Sequence, residues 1–412
     1  MAAGATLALA ADDPANALEP ATPAAKKPGR DPLKFQLTLL DNKKASIRYS
    51  RKGLQFKSAD GRYSSRIRWR TQIRYSFPFD QDPRKDGDFG AVPADKLFFR
   101  RARLKIDGNL FGPFVKYTYE HDLLDGYLLN LYADIKIKEW FQIRGGQWKA
   151  DFSRERRTSS GKQQFVERSM VNREFTLDRQ AGFGIVGHLM PGTRGDSRYF
   201  AEIFTGTGRG NGWDSDGHPM IVARYQWNFI RRDLGWSSSD IEHHESPAAS
   251  LAIAGVSNRG RFTRFSSSGG SQLDGYEPGA PGQYSLKQVM GEFFLKYRGL
   301  SIQNENHWKN IYDNVNLTSQ NHVGSYAQVG YFIGYLWPDI PKNVELGYRY
   351  TFVDSNTAIP SDVRQEHTIV VNVFFEGHEN KLSFDVGRIS LDQPGTPDLT
   401  LMRYRLQWDV QF

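Results

Sequence analysis

From about residue 60 onward the chain alternates. The stretch "RIRWRTQIRY" (66–75) sets Arg66, Arg68, Arg70 and Arg74 against Ile67, Trp69, Ile73 and Tyr75. Residues 101–107 set Arg101, Arg103, Lys105 and Asp107 against Ala102, Leu104 and Ile106. Residues 129–138 and 402–412 repeat the arrangement, the latter with Arg403, Arg405, Gln407, Asp409 and Gln411 opposite Met402, Tyr404, Leu406, Trp408, Val410 and Phe412. A period of two marks β-strands, because successive side chains leave opposite faces. The pattern predicts sixteen strands, over 66–77, 96–108, 112–121, 127–138, 140–149, 181–190, 198–206, 218–228, 247–257, 285–297, 299–310, 322–337, 343–353, 365–376, 379–389 and 400–412. No amphipathic helix or phosphate-binding loop falls between them, so an α/β fold is not expected.

A soluble sheet keeps its apolar face inside and a mixed-charge face outside, so four arginines on one face of 66–75 raise the question of which side is interior. The connections answer it. Short ones (108–113, 138–140, 298–299, 338–343, 376–380) alternate with long ones (78–95, 150–180, 207–217, 258–284, 354–364, 390–399). Outer-membrane barrels alternate short periplasmic turns with longer extracellular loops. Two connections break the rule: 122–126 is a short outer loop and 229–246 a long inner turn. The last strand ends on Phe412 with apolar residues at alternate positions before it, as strands recognised by outer-membrane assembly machinery do. The expected fold is therefore all-β: a 16-stranded antiparallel transmembrane barrel over 53–412, with apolar faces to lipid and charged faces to a water-filled lumen.

Composition adds bounds. The 412 residues include 27 Phe, 19 Tyr and 39 Gly, and the mean hydropathy is −0.58. No run approaches the ~18 apolar residues of a membrane helix. Abundant aromatics and glycines suit a lipid-facing barrel, and equally a secreted soluble β-protein. With no cysteine, thiolate catalysis, Cys-ligated zinc and disulfides are excluded. Residues 1–11 read as a signal-peptide remnant, with a small-residue site at Ala8–Ala10, and 12–52 as an N-terminal linker, Pro/Ala-rich over 12–34. No motif calls for a cofactor or metal.

The net charge of +8 reflects a bias of one face. Inward-parity cations include Arg66, Arg68, Arg70, Arg74, Arg101, Arg103, Lys105, Lys116, Lys136, Lys138, Arg144 and Arg403, against Asp107, Glu120, Asp134 and Asp409. Guanidinium groups are always charged and fork toward phosphate or carboxylate. Same-side residues of a strand sit ~6.6–6.8 Å apart, so Arg66, Arg68 and Arg70 are expected to form a ladder of cationic sites, with Arg74 at the outer mouth. Such rings select anions; the plainer reading is a general porin whose lumen charges pair across the pore. The third outer loop, 150–179, is expected to fold inward and constrict the lumen. It carries Arg154, Arg156, Arg157, Lys162, Arg168 and Arg173 with Ser159 and Ser160.

The stretches 53–75, 98–122, 131–137, 143–155, 158–169 ("TSSGKQQFVERS") and 178–187, with the terminal strand, resemble the phosphate-selective porin O/P family. The resemblance implies an outer-membrane homotrimer of 16-stranded barrels, an arginine ladder, a central anion site and lysines beyond it. Onto this chain the central site falls on Arg100, Arg101, Lys116, Asp134, Arg156, Ser159, Ser160 and Arg168, where Asp134 would keep an anion from binding too tightly. Arg156 stands where a lysine is expected. Arg100 has outward parity counted from Ala102, so either a bulge lies there or Arg100 reaches around the rim. Phosphate, pyrophosphate and other oxyanions all remain open as cargo. The other expected neighbours are outer-membrane lipid and lipopolysaccharide.

Two other function classes would need different residues. An outer-membrane enzyme would need its nucleophile and base among His121–Asp122, His243–His244–Glu245 and Ser237–Ser239, which read as solvated loop and turn residues. A nucleic-acid-binding protein would interleave its cations with exposed aromatics; here the aromatics take the opposite face. A channel, not an enzyme and without nucleic acid, is the expectation.

Overall fold

A computed structural model describes residues 36–412 except 51, 92, 211, 214–217, 231, 232, 361 and 394. The expected signal remnant (1–11) and linker residues 12–35 lie outside the described residues. In chain order the strands are β1 (Gln36–Asp41), β2 (Ala45–Ser50), β3 (Gly53–Ser58), β4 (Ser64–Phe77), β5 (Lys96–Leu110), β6 (Val115–Asp122) and β7 (Tyr127–Lys138). They continue with β8 (Phe141–Lys149), β9 (Arg179–Leu189), β10 (Ser197–Phe204), β11 (Met220–Trp227), β12 (Ala248–Gly260), β13 (Arg264–Ser266) and β14 (Gly269–Ser271). The last are β15 (Tyr284–Tyr297), β16 (Leu300–Asp313), β17 (Thr318–Phe332), β18 (Val344–Asp354), β19 (Val363–Glu376), β20 (Asn380–Leu391) and β21 (Leu399–Gln411).

Strands β4–β12 and β15–β21 pair antiparallel in sequence, and β21 closes on β4 from Tyr404↔Phe77 to Gln411↔Arg70. This is a closed barrel of sixteen strands, each overlapping one of those predicted. Closure leaves the wall without a sheet edge, the condition for an all-β segment in lipid. At the seam Phe412 exchanges two backbone hydrogen bonds with Trp69, at 2.7 and 2.9 Å. Where β21 runs out, β3 takes over the same edge of β4, from Leu54↔Ile67 to Lys57↔Ser64. Strands β2 and β1 extend this into a three-stranded meander. Residues 36–50, read as linker from sequence, are thus two strands. Six residues are too few for periodicity to stand out, and the edge they cover, that of β3 once it has paired with β4 beyond the end of β21, exists only in the closed barrel.

Outside, the wall presents Trp69, Tyr75, Phe77, Tyr404, Leu406 and Trp408, all exposed, as a lipid-facing surface requires. Inside, the charged faces of β4–β8 behave as the alternation predicts. The opposite arc differs. Phe204, Met220, Val222, Ala254, Val256, Met290 and Ile311 point inward and pack with Phe152 and Leu177 of the connection between β8 and β9. Farther round, Tyr326, Val353 and Ile389 receive Met170, Val171 and Phe175 of the same connection. Two apolar clusters on this arc, set among buried polar side chains such as Glu292 and Glu305, hold the 150–178 loop inside the barrel.

Candidate functional site

A one-turn helix α1 (Asp86–Phe89) lies between β4 and β5, and the 150–178 loop contains α2 (Arg154–Arg157), a 3-10 turn over Ser160–Lys162 and α3 (Val171–Phe175). Ser153 starts α2 by accepting the Arg156 backbone N–H at 3.2 Å. A buried ion pair and two hydrogen bonds fasten it to the wall: Arg154 pairs with Glu292 (2.7 Å), and the Ser153 hydroxyl and the Glu155 backbone N–H donate to Glu305 (2.9 and 2.8 Å). Because the loop is held against the β10–β20 arc, free space remains along β4–β8. A cavity of about 350 Å³ lies there, between the strand residues Arg68, Arg70, Arg103, Lys105 and Arg144 and the loop residues Arg157, Ser159 and Lys162.

The cavity faces eight basic side chains and three carboxylates. Pairing decides which cations are free. Arg68 shares Asp107 with Arg66. Arg103 pairs with Asp122 at 3.0 Å, and Arg144 with Asp134 at 2.6 Å and Asp151 at 3.1 Å. Arg157 pairs with Asp151. Among the described residues, Arg70, Lys105, Lys149 and Lys162 have no carboxylate oxygen within 4.0 Å. Arg70 instead donates to the Ser160 hydroxyl at 2.7 Å and, more weakly, to Ser159 at 3.4 Å. Lys149 donates to the carbonyls of Arg156 (2.8 Å) and Thr158 (3.4 Å). Gly161 makes the Arg70 contact possible: a Cβ there would stand 2.5 Å from the Arg70 Nη1.

The ladder and central-site residues expected from sequence are distributed unevenly. Arg70, Ser159 and Ser160 are brought together. Arg100 and Arg101 converge instead on Glu167, at 3.2 and 2.9 Å, and Arg74 joins them at 3.1 Å. Arg74 also pairs with Asp80 and donates two bonds to the Gln407 Oε1, so it is buried in the wall and not open at the outer mouth. Arg100 is the extra residue of a β-bulge, between the pairs Gln72↔Arg101 and Ile73↔Phe99, which turns its side chain inward. Of the two alternatives read from parity, the bulge holds. Arg156 is committed to Asp178 and to Ser267 at 2.9 Å. Arg168 donates to the carbonyls of Glu155 (3.0 Å) and Thr158 (2.7 Å), bracing the loop. Lys116 and Asp134 stand in register on β6 and β7 toward the short-turn end, but Asp134 is spent on Arg144.

Sequence reasoning missed Glu167 and Lys149. Glu167 is the shared acid of the arginine cluster. Against the penalty of burial, Arg101, Arg100, Arg74 and Arg168 hold its carboxyl well below the usual range. Lys149 ends β8 where alternation gives way to loop, so parity carried no signal. The candidate catalytic groups do not assemble: His121 stacks on Tyr119, while Asp122 faces inward to Arg103. His243 stacks on Tyr335 and His244 pairs with Asp240.

Residues 69–220 match the family model described as Phosphate-selective porin O and P. None of the curated proteins matches the chain. Among solved structures it is similar to the anion-selective porin from Comamonas acidovorans, at 9% identity and a TM-score of 0.51, over 85% of this chain and 100% of that one. It is similar to OmpF of Salmonella typhi, solved with daunomycin, at 8% identity and a TM-score of 0.53, over 85% and 98%. It is similar also to the trimer form of in-vitro folded OmpT of Vibrio cholerae, at 11% identity and a TM-score of 0.50, over 84% and 99%. At such identities the likeness is one of fold. Residues 69–220 thus carry the phosphate-selective porin O and P signature, within a chain whose closed barrel has the fold of bacterial outer-membrane porins.

Proposed function

We propose that this porin is an anion-selective channel for passive diffusion of phosphate or a related oxyanion such as pyrophosphate. The observation that carries the reading is the set of cations without a carboxylate partner among the described residues, Arg70, Lys105, Lys149 and Lys162, around one cavity beside the Ser159 hydroxyl. Uncompensated charge in a narrow passage focuses the field and concentrates anions. A hydroxyl beside a guanidinium can replace part of an oxyanion's hydration shell. A homotrimer set in outer-membrane lipid and lipopolysaccharide is part of the proposal, supported by the trimer form of a structural neighbour.

A general, weakly selective porin is the second reading. It is favoured by the pairing of Arg66, Arg68, Arg74, Arg100, Arg101 and Arg103 with Asp107, Glu167 or Asp122. Planar bilayers decide between them. The purified protein should carry chloride in preference to potassium, and submillimolar phosphate should reduce the chloride current. Cation-preferring current would sink the proposal; anion preference without a phosphate effect would leave only the general porin.

A further inference from the structure

The exceptional inner turn between β11 and β12 does not hang below the barrel. Its residues 233–246 rise into the lumen and meet the constriction loop from the opposite side. The Ser238 backbone N–H donates to the Lys162 carbonyl at 3.1 Å. The Ser239 hydroxyl donates to Glu345 at 2.9 Å, and Ser237 Oγ lies 2.7 Å from His378 Nε2, in the turn between β19 and β20. Arg154 of α2 donates to the Gly235 carbonyl at 2.7 Å. Asp240 anchors the base of the turn by accepting the Gly299 backbone N–H at 2.9 Å and pairing with His244.

This docking places Trp236 in the wall of the basic cavity that Arg70, Lys149 and Lys162 also line. The Arg157 guanidinium lies 4.1 Å from its ring centre and that of Arg154 4.8 Å. Two cations against one indole make it a fixed wall. It has few rotatable bonds and no charge of its own. An indole in that place limits the size of what passes the cations without competing for the anion.

We propose that the turn is the lower jaw of the constriction and that Trp236 determines specificity by size, admitting a single tetrahedral oxyanion and disfavouring an elongated one such as a diphosphate. The inference rests on the oxyanion-channel reading of the same cavity. It is separable from that reading, because cations set the preference for anions whereas the indole sets only the width.

The test is the permeability of pyrophosphate relative to phosphate, from reversal potentials in planar bilayers. Trp236→Ala should raise that ratio at least fivefold and increase conductance. Trp236→Phe should return the ratio toward wild type. Where the alanine variant does not assemble, judged by heat-modifiable gel mobility, Trp236→Leu preserves apolar packing in a smaller volume and must raise the ratio in the same direction. An unchanged ratio in a folded Ala or Leu variant overturns the role of Trp236. Loss of anion preference in the wild type would instead overturn the underlying channel reading.

Discussion

Arg70 is the residue on which the channel proposal can be tested most sharply. Its guanidinium is buried at the edge of the cavity and bonded to Ser160 at 2.7 Å and Ser159 at 3.4 Å, with no carboxylate within 4.0 Å among the described residues. Two hydroxyls take part of its donor capacity, and Asp409, Glu120 and Asp122 act on its charge only from beyond contact distance. An oxyanion entering the cavity would gain one charge-assisted hydrogen bond from it, worth about 1.5–3 kcal/mol. A fully desolvated pair would gain more, but a water-filled lumen screens the interaction. Arg70→Ala should therefore raise the phosphate concentration that halves chloride current by about 10- to 150-fold, since each 1.4 kcal/mol is a factor of ten. The assay is titration of phosphate into single-channel recordings at fixed chloride. Arg70→Lys keeps the charge but loses the fork, and should fall between. Gly161→Ala, whose Cβ would press on the Arg70 Nη1, should shift the midpoint in the same direction by displacing the guanidinium. A folded Arg70→Ala channel with an unchanged phosphate midpoint would refute the assignment, and with it the argument that unpaired cations make the site.

Other consequences follow from the same geometry. Glu167→Gln releases Arg74, Arg100 and Arg101 from their shared acid, so the chloride-over-potassium permeability ratio should rise; thermal unfolding in detergent should come at lower temperature, because breaking a buried pair costs about 3–5 kcal/mol. Burial, against the attraction of Arg349 and with Glu305 adding to it, pushes the Glu155 carboxyl up to about 7 from an ordinary 4.5. The docked loop thus holds a proton that a released loop gives up, and docking gains about 3 kcal/mol as pH falls from about 7 to 4.5, a gain lost again as pH rises through 7. Hydrogen exchange at the Ser169 amide, which donates to Glu155 at 2.7 Å, should be more protected at pH 5 than at pH 8 after correction for intrinsic rates, and Glu155→Gln should flatten the difference. Removing Phe412 deletes the two backbone bonds to Trp69 at the seam, worth about 1 kcal/mol each. The folded fraction on heat-modifiable gels should fall; an unaltered yield would mean that the β4–β21 pairing up to Gln411 is enough.

The sequence by itself determined the barrel. Alternation over sixteen segments, short and long connections in turn, and an apolar terminal strand were enough, because side-chain period and connection length are local properties of the chain. It also located the inward loop and the odd inner turn, both visible as connections of unusual length. Even the bulge at Arg100 was legible as a conflict between parity and expected role. What only the tertiary structure decided is which charges are free. Arg66, Arg68, Arg74 and Arg101 look alike in the alternation, yet each meets an acid from another strand or from the loop, while Arg70 meets two serines. Charge pairing across a barrel depends on register, on loop docking and on shared acids such as Glu167, contacts that join residues up to hundreds of positions apart. The apolar arc that holds the loop was hidden for the same reason. Inward phenylalanines and methionines on β10, β11 and β15 become a core only once Phe152, Leu177 and their neighbours are folded against them. Period and parity assign a face to each side chain, and partners are assigned only by closure.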